Sequence, residues 1–143
     1  MSDPRVQLAT DLFAAWSSGD PDAPAAFLSA DAVLADIVGG EHHGWPAIRS
    51  FFAQGLAVWP DLVLLPEQFW TSDDGVALNW VMGATVTESA AARVGAEHVG
   101  KRWRSEGMSW LRVVDGVVVR EVDYHDSAAT MRSLRAPTGG MLK

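Results

Sequence analysis

The chain has 143 residues, 48% hydrophobic and 20% charged, with a formal net charge of −7 and no cysteine. That length suits one domain with a real core. The acidic balance and the lack of any basic run exclude a nucleic-acid backbone and an anionic membrane surface as partners, and the missing thiols exclude disulfides and thiolate zinc sites. The start, MSDPRVQLAT, lacks a signal peptide's basic residues and apolar run, and no stretch approaches about 18 consecutive apolar residues. A cytoplasmic protein is expected, with no nucleic-acid or membrane partner.

The first helix is predicted from Pro4 to Ser18, with Asp3 as N-cap and Pro4 where a missing N–H costs nothing. Val6, Ala9, Leu12, Phe13 and Trp16 form its apolar face, and Gly19 is the stop. Asp20-Pro21 opens a short second helix, with Ala25, Phe27 and Leu28 turned inward. Ala32 to Val38, AVLADIV, reads as a strand ended by Gly39-Gly40. Asp36 shares a face with Leu34 and Val38, which puts a carboxylate either at the mouth of a cavity or in a cap on the following turn. A polar turn over residues 41–44 leads to a third helix from Pro46, with Ile48, Phe51, Phe52 and Leu56 on its apolar face. His42 and His43 are adjacent, so they point apart on an extended chain, and no third metal ligand is evident.

Strands follow at Leu62–Thr71 and Val76–Thr87, joined by the turn residues Ser72 to Gly75. Residues 88–100 are weakly patterned and read as a loose connection. Lys101 to Asp126 is the strongest signal, two long strands around Asp115-Gly116, a dipeptide that favours tight hairpins. Alternation puts Val117, Val119, Glu121, Asp123 and His125 on one side, so the second strand begins apolar and ends in carboxylates and an imidazole. Asp123 is either functional or paired with Arg112 or Arg120. Arg104 and Glu106 share a face and can pair with each other. A short helix from Ala128 to Leu134 closes the domain, assigned to residues 1–135, and residues 136–143 read as a disordered tail. Helices first and strands after give an α+β fold. Seven tryptophans, many for this length, fill the core or line a pocket for a flat apolar ligand.

This layout resembles the nuclear transport factor 2-like superfamily. The resemblance implies a cone-shaped, curved antiparallel sheet with three N-terminal helices on its concave face, an α+β roll of the cystatin kind. LADIVGGEHHGWPAIRSFF is similar to the ketosteroid isomerase segment that carries the general base, and that position falls on Asp36. GMSWLRVVDGVVVREVDYHDSAATMRSL is similar to the end of SnoaL-like polyketide cyclases and limonene epoxide hydrolase, where an aspartate does acid–base chemistry; that position falls on Asp123. The isomerases' oxyanion-hole tyrosine and acid are replaced by Leu12 and Met108-Ser109. The hydrolases' arginine–aspartate pair is replaced by Asn79-Trp80-Val81-Met82. With two aspartates and a tryptophan-rich cavity left, the chain most resembles the SnoaL-like cyclases.

The resemblance implies a cofactor-independent enzyme without a metal, a homodimer paired through its open sheet face. Its partner is a small hydrophobic cyclic or polyketide-like carbonyl compound. Asp36 and Asp123 are the expected catalytic pair, with pKa values raised by desolvation toward the working pH. The chemistry is proton abstraction followed by aldol-type cyclisation or isomerisation; the alternatives are epoxide opening by the same pair and binding without turnover. Trp16, Phe52, Asn79, Trp80, Met108, Trp110 and Tyr124 are the expected substrate-binding residues, with Asn79, Tyr124, His125 and the indole N–H groups as hydrogen-bond donors.

Overall fold

A computed structural model describes residues 3–136; the expected disordered tail lies outside them apart from Ala136. Helix α1 spans Pro4–Trp16. The Asp3 side chain accepts the Arg5 N–H at 2.8 Å, satisfying a donor that the first helical turn leaves open. The helix stops earlier than expected because the Ser17 hydroxyl donates to the Phe13 carbonyl and accepts the Leu64 N–H, both at 2.9 Å. That second bond ties the end of α1 to the sheet.

The six strands are β1 (Leu28–Asp36), β2 (Gly40–His43), β3 (Val63–Ser72), β4 (Gly75–Thr85), β5 (Arg102–Val114) and β6 (Val117–His125). They form one sheet in the order β2-β1-β6-β5-β4-β3. All neighbours are antiparallel except β1 and β6, which run parallel. Helix α2 (Trp45–Val58) joins α1 on one face of this sheet, and their apolar faces bury Leu12, Phe13 and Ile48 against Leu78, Leu111 and Val118. The fold class is that expected: α+β, with a curved, unclosed sheet.

Four local expectations are corrected. The second helix is a 3₁₀ turn at Ala23–Phe27, as suits a segment of five residues containing a proline. The first strand starts at Leu28 and stops at Asp36, because the Asp36 carboxylate accepts the Val38 and Gly39 N–H groups and bends the chain there. The polar stretch after that turn is strand β2, which pairs back on β1. Residues 88–98 are not a loose connection but three helical turns, including α3 (Ala91–Val94). They bury Ala90 and Val94 with Val86, Trp103 and Leu134, the last from helix α4 (Ala129–Arg135).

The hairpin turn is as expected: Asp115 and Gly116 have φ of 52° and 78°, the paired positive values that match a tight turn to strand twist. Just beyond it, Arg112 pairs with Arg120 but Val113 pairs with Val118, so β6 carries one extra residue. The bulge breaks alternation at Val119. Val118 therefore points inward instead of Val117 or Val119, while Glu121, Asp123 and His125 keep their common inward face.

Candidate active site

A cavity of about 260 Å³ opens between α1, α2 and the concave face of the sheet. Its floor is made by the buried residues Trp16, Phe52, Trp80, Glu121 and Asp123. Trp16 and Phe52 meet edge to face, with ring centroids 4.8 Å apart, a favourable arrangement of aromatic quadrupoles. Gly107 lies against Trp80; a Cβ there would overlap the indole and the Tyr124 carbonyl, so the ring's place depends on a residue without a side chain.

The carboxyl pair on β6 defines the polar end. Glu121 is 2% exposed and Asp123 9% exposed. The Trp16 Nε1–H donates to Glu121 Oε1 at 3.0 Å. The Trp80 Nε1–H donates to Ser109 Oγ at 2.9 Å, and the Ser109 hydroxyl donates to Asp123 Oδ1 at 2.6 Å. Glu121 and Asp123 also hydrogen-bond each other. Burial first, and the Asp123 charge second, push the Glu121 pKa well above the usual carboxylate range. Burial also raises Asp123, against the lowering effect of bonds from Glu121 and Ser109. Two carboxyls in contact away from water do not both ionise. The pair therefore keeps a proton to higher pH than ordinary carboxyls, with the stronger upward push on Glu121, and it titrates as a unit.

The second pair joins β1 to the end of β6. His125 Nε2 lies 3.1 and 3.2 Å from the two Asp36 oxygens, with the side chains 14% and 13% exposed. An ionised carboxylate only accepts, so Nε2 carries the proton. The bond to Asp36 raises the His125 pKa, outweighing burial. Burial alone would raise Asp36, but the bonds from His125 and from the Gly39 and Val38 N–H groups outweigh it and leave its pKa below the ordinary value. This corrects the expectation that both aspartates are tuned upward. Asp36 is held toward its ionised form and favours the protonated imidazole; of the two aspartates only Asp123 is tuned upward. The ring centroids of Trp80 and His125 are 6.1 Å apart, within reach of a cation–π attraction.

The Asp36→Asn variant should lower the His125 pKa, read from the imidazole Cε1–H titration by NMR. A histidine that titrates unchanged would show that Asp36 does not set its charge. The ion pair stabilises the fold above the pH where Asp36 protonates and is lost as pH rises through the elevated His125 value. Asp36→Asn should therefore destabilise the protein most between those limits.

Of the expected residues, Trp16, Asp36, Phe52, Trp80 and Asp123 line this cavity, and Asn79, Met108, Trp110 and Tyr124 do not. The reason is strand parity. Cross-strand partners share a face, and the chain Asn79, Met108, Tyr124 and the neighbouring pair Trp110, Val122 all lie on the convex side. Met108 is 45% and Tyr124 53% exposed there, and the Asn79 side chain accepts the Gln68 N–H on the same side. Glu121 and His125 take their place, and both follow from the alternation that already grouped them with Asp123. Outside the cavity, His42 stacks on Phe51 and His43 pairs with Glu41. Arg104 pairs with Glu106 at 3.0 Å, as expected.

A family model described as the SnoaL-like domain matches residues 9–121. The chain belongs to this family. The SnoaL-like domain has many structural relatives. One is a candidate polyketide cyclase from Acidithiobacillus ferrooxidans, 18% identical, with TM-score 0.81 over 94% of this chain and 96% of that one. Another is AclR, a candidate hydroxylase from Streptomyces galilaeus, 26% identical, with TM-score 0.74 over 93% and 86%. A third, from Catenulispora acidiphila, has a ketosteroid isomerase-like fold and was solved with trimethylamine; it is 17% identical, with TM-score 0.77 over 92% and 94%. No curated protein matches the chain. Among the described residues, no helix of this SnoaL-like domain is long and apolar enough to cross a membrane.

Proposed function

We propose that this SnoaL-like domain is an acid–base enzyme that enolises a hydrophobic cyclic or polyketide-like ketone, for cyclisation or isomerisation. The observation that carries this is the presence, on one cavity wall, of a buried carboxyl pair, Glu121 and Asp123, and of the His125 imidazole hydrogen-bonded to the Asp36 carboxylate. Asp123, with its raised pKa, removes a proton next to the carbonyl; a carboxylate near the working pH is a better base than an ordinary one. The His125 imidazolium donates to the oxygen that becomes the enolate, where a preorganised cation in a dry site acts strongly. Asp36 orients and charges His125. Glu121 holds the shared proton beside Asp123. No step calls on a cofactor or a metal, and both protons return when the enol carbon is protonated or attacks a second carbonyl.

The cavity volume bounds the substrate. A void of roughly 150 Å³ holds benzene, so about 260 Å³ suits a two-ring body with the rest projecting from the mouth. Apolar walls with a few convergent polar groups are typical of small-molecule sites. A suitable probe is 2-tetralone, a two-ring ketone with exchangeable α-protons. In D₂O the protein should speed α-deuteration above the buffer rate, followed by NMR. A protein that only binds its ligand would leave the buffer rate unchanged, and that result would end the enzymatic reading.

The convex sheet face supports the reading of a homodimer. Leu65, Trp70, Met108 and Tyr124 are exposed on it, and scattered apolar groups of this size on one flat face favour association. Light scattering should return twice the chain mass of 15.4 kDa; a monomer mass at micromolar concentration would remove the dimer.

A further inference from the structure

The cavity has a chemically distinct mouth. Of its lining residues, Gln54 on α2 and Arg93 on α3 are exposed, whereas the carboxyl pair and the indoles at the other end are buried. Arg93 is the one lysine or arginine among the described lining residues. No hydrogen bond or ion pair engages it in the described structure. In a chain of net charge −7, where six other arginines among the described residues have carboxylate partners, an unpaired guanidinium at a pocket mouth stands out.

The backbone beside it is open as well. Gly55 lines the cavity on α2, and a Cβ added there meets no atom within 4 Å, so it would project into free space. Glycine inside a helix is destabilising by about 0.5–1 kcal/mol relative to alanine. A glycine at this position keeps the mouth one side chain wider.

We infer that the substrate carries an anionic group, such as a carboxylate, at the end remote from its reacting carbonyl, and that Arg93 binds that group at the cavity mouth while the ring body lies on the indoles. This rests on the enolisation reading only for which end reacts. The guanidinium presents a planar fork of donors that fits a carboxylate. An apolar body alone would be held at the floor without regard to direction. An anion at Arg93 fixes which end reaches His125 and Asp123, and it keeps a second negative charge away from the Asp36 and Asp123 carboxylates.

The test compares 3-(2-naphthyl)propionate with its uncharged amide by titration calorimetry. The two probes share a ring body and differ in charge at the far end. Wild type should bind the carboxylate about threefold more tightly or better, as suits a partly solvated ion pair. That preference should shrink between low and high salt, because exposed charges are screened. Arg93→Gln should abolish the preference and leave amide affinity unchanged, and Arg93→Lys should keep most of it. An equal preference in wild type and Arg93→Gln, or failure of both probes to bind wild type, would overturn the inference. The readout is affinity, so loss of tetralone exchange in an Asp123 variant bears on the enzymatic reading alone.

Discussion

Asp123→Asn should reduce tetralone deuteration by about 10²-fold or more, the usual worth of a positioned general base. The fold should survive the change. An asparagine oxygen still accepts the Ser109 hydroxyl, which holds Asp123 Oδ1 at 2.6 Å in wild type, and the amide N–H₂ can donate to Glu121. The near-neutral substitution therefore separates chemistry from packing, and an unchanged thermal midpoint is part of the expected result. If the variant keeps its rate within about threefold, Asp123 is not the base, and proton removal passes to His125. The pH profile offers a second view. Exchange should rise as the Glu121–Asp123 pair loses its first proton and fall as His125 loses its own, because base and electrophile are needed together. The two limbs report the pair and the imidazole rather than single microscopic groups.

Glu121→Gln should stabilise the protein at neutral and alkaline pH and flatten its stability–pH curve. Glu121 is wholly buried, and burial followed by the Asp123 charge holds its pKa well above the ordinary carboxylate value. The folded state keeps a proton that the unfolded chain releases at about pH 4.5. Stability therefore falls as pH climbs from the unfolded value to the folded one, at about 1.4 kcal/mol per unit for one proton. Glutamine copies the neutral acid: its oxygen accepts the Trp16 N–H and its nitrogen donates to Asp123. It carries no proton to lose. Urea melts between pH 5 and pH 9 should show the variant gaining on wild type as pH rises, by on the order of 1 kcal/mol or more. Parallel curves for the two proteins would show that Glu121 is not held neutral by the fold.

These two residues mark how far the sequence can be read. Asp-Gly at 115–116 sets the hairpin because only a few dipeptides accept two positive φ values, and alternation then places Glu121, Asp123 and His125 together. Both steps are local, so the sequence determined them without help. It also determined α1, through an N-cap, a proline and a helical apolar face. Tyr124 and Met108 were legible as outward residues by the same alternation; their chemistry suggested a site, but their parity excluded it.

Only the tertiary structure decided what each acid does. Asp36 and His125 lie 89 positions apart and meet because β1 runs parallel to β6, with Asp36 in register with Asp123. A long-range parallel pairing has no local signature, since the two strands meet only through a long crossover connection. The sign of each pKa shift depends on the balance between lost water and gained partners, and that balance is a property of the assembled site. Burial is the largest influence on both Asp36 and Asp123, yet the imidazole and two backbone N–H groups reverse it at Asp36, whereas at Asp123 the lowering bonds from Glu121 and Ser109 do not outweigh it. The sequence determined that a row of acids and an imidazole faces an apolar hollow; packing decided which acid stays charged and which keeps a proton to exchange.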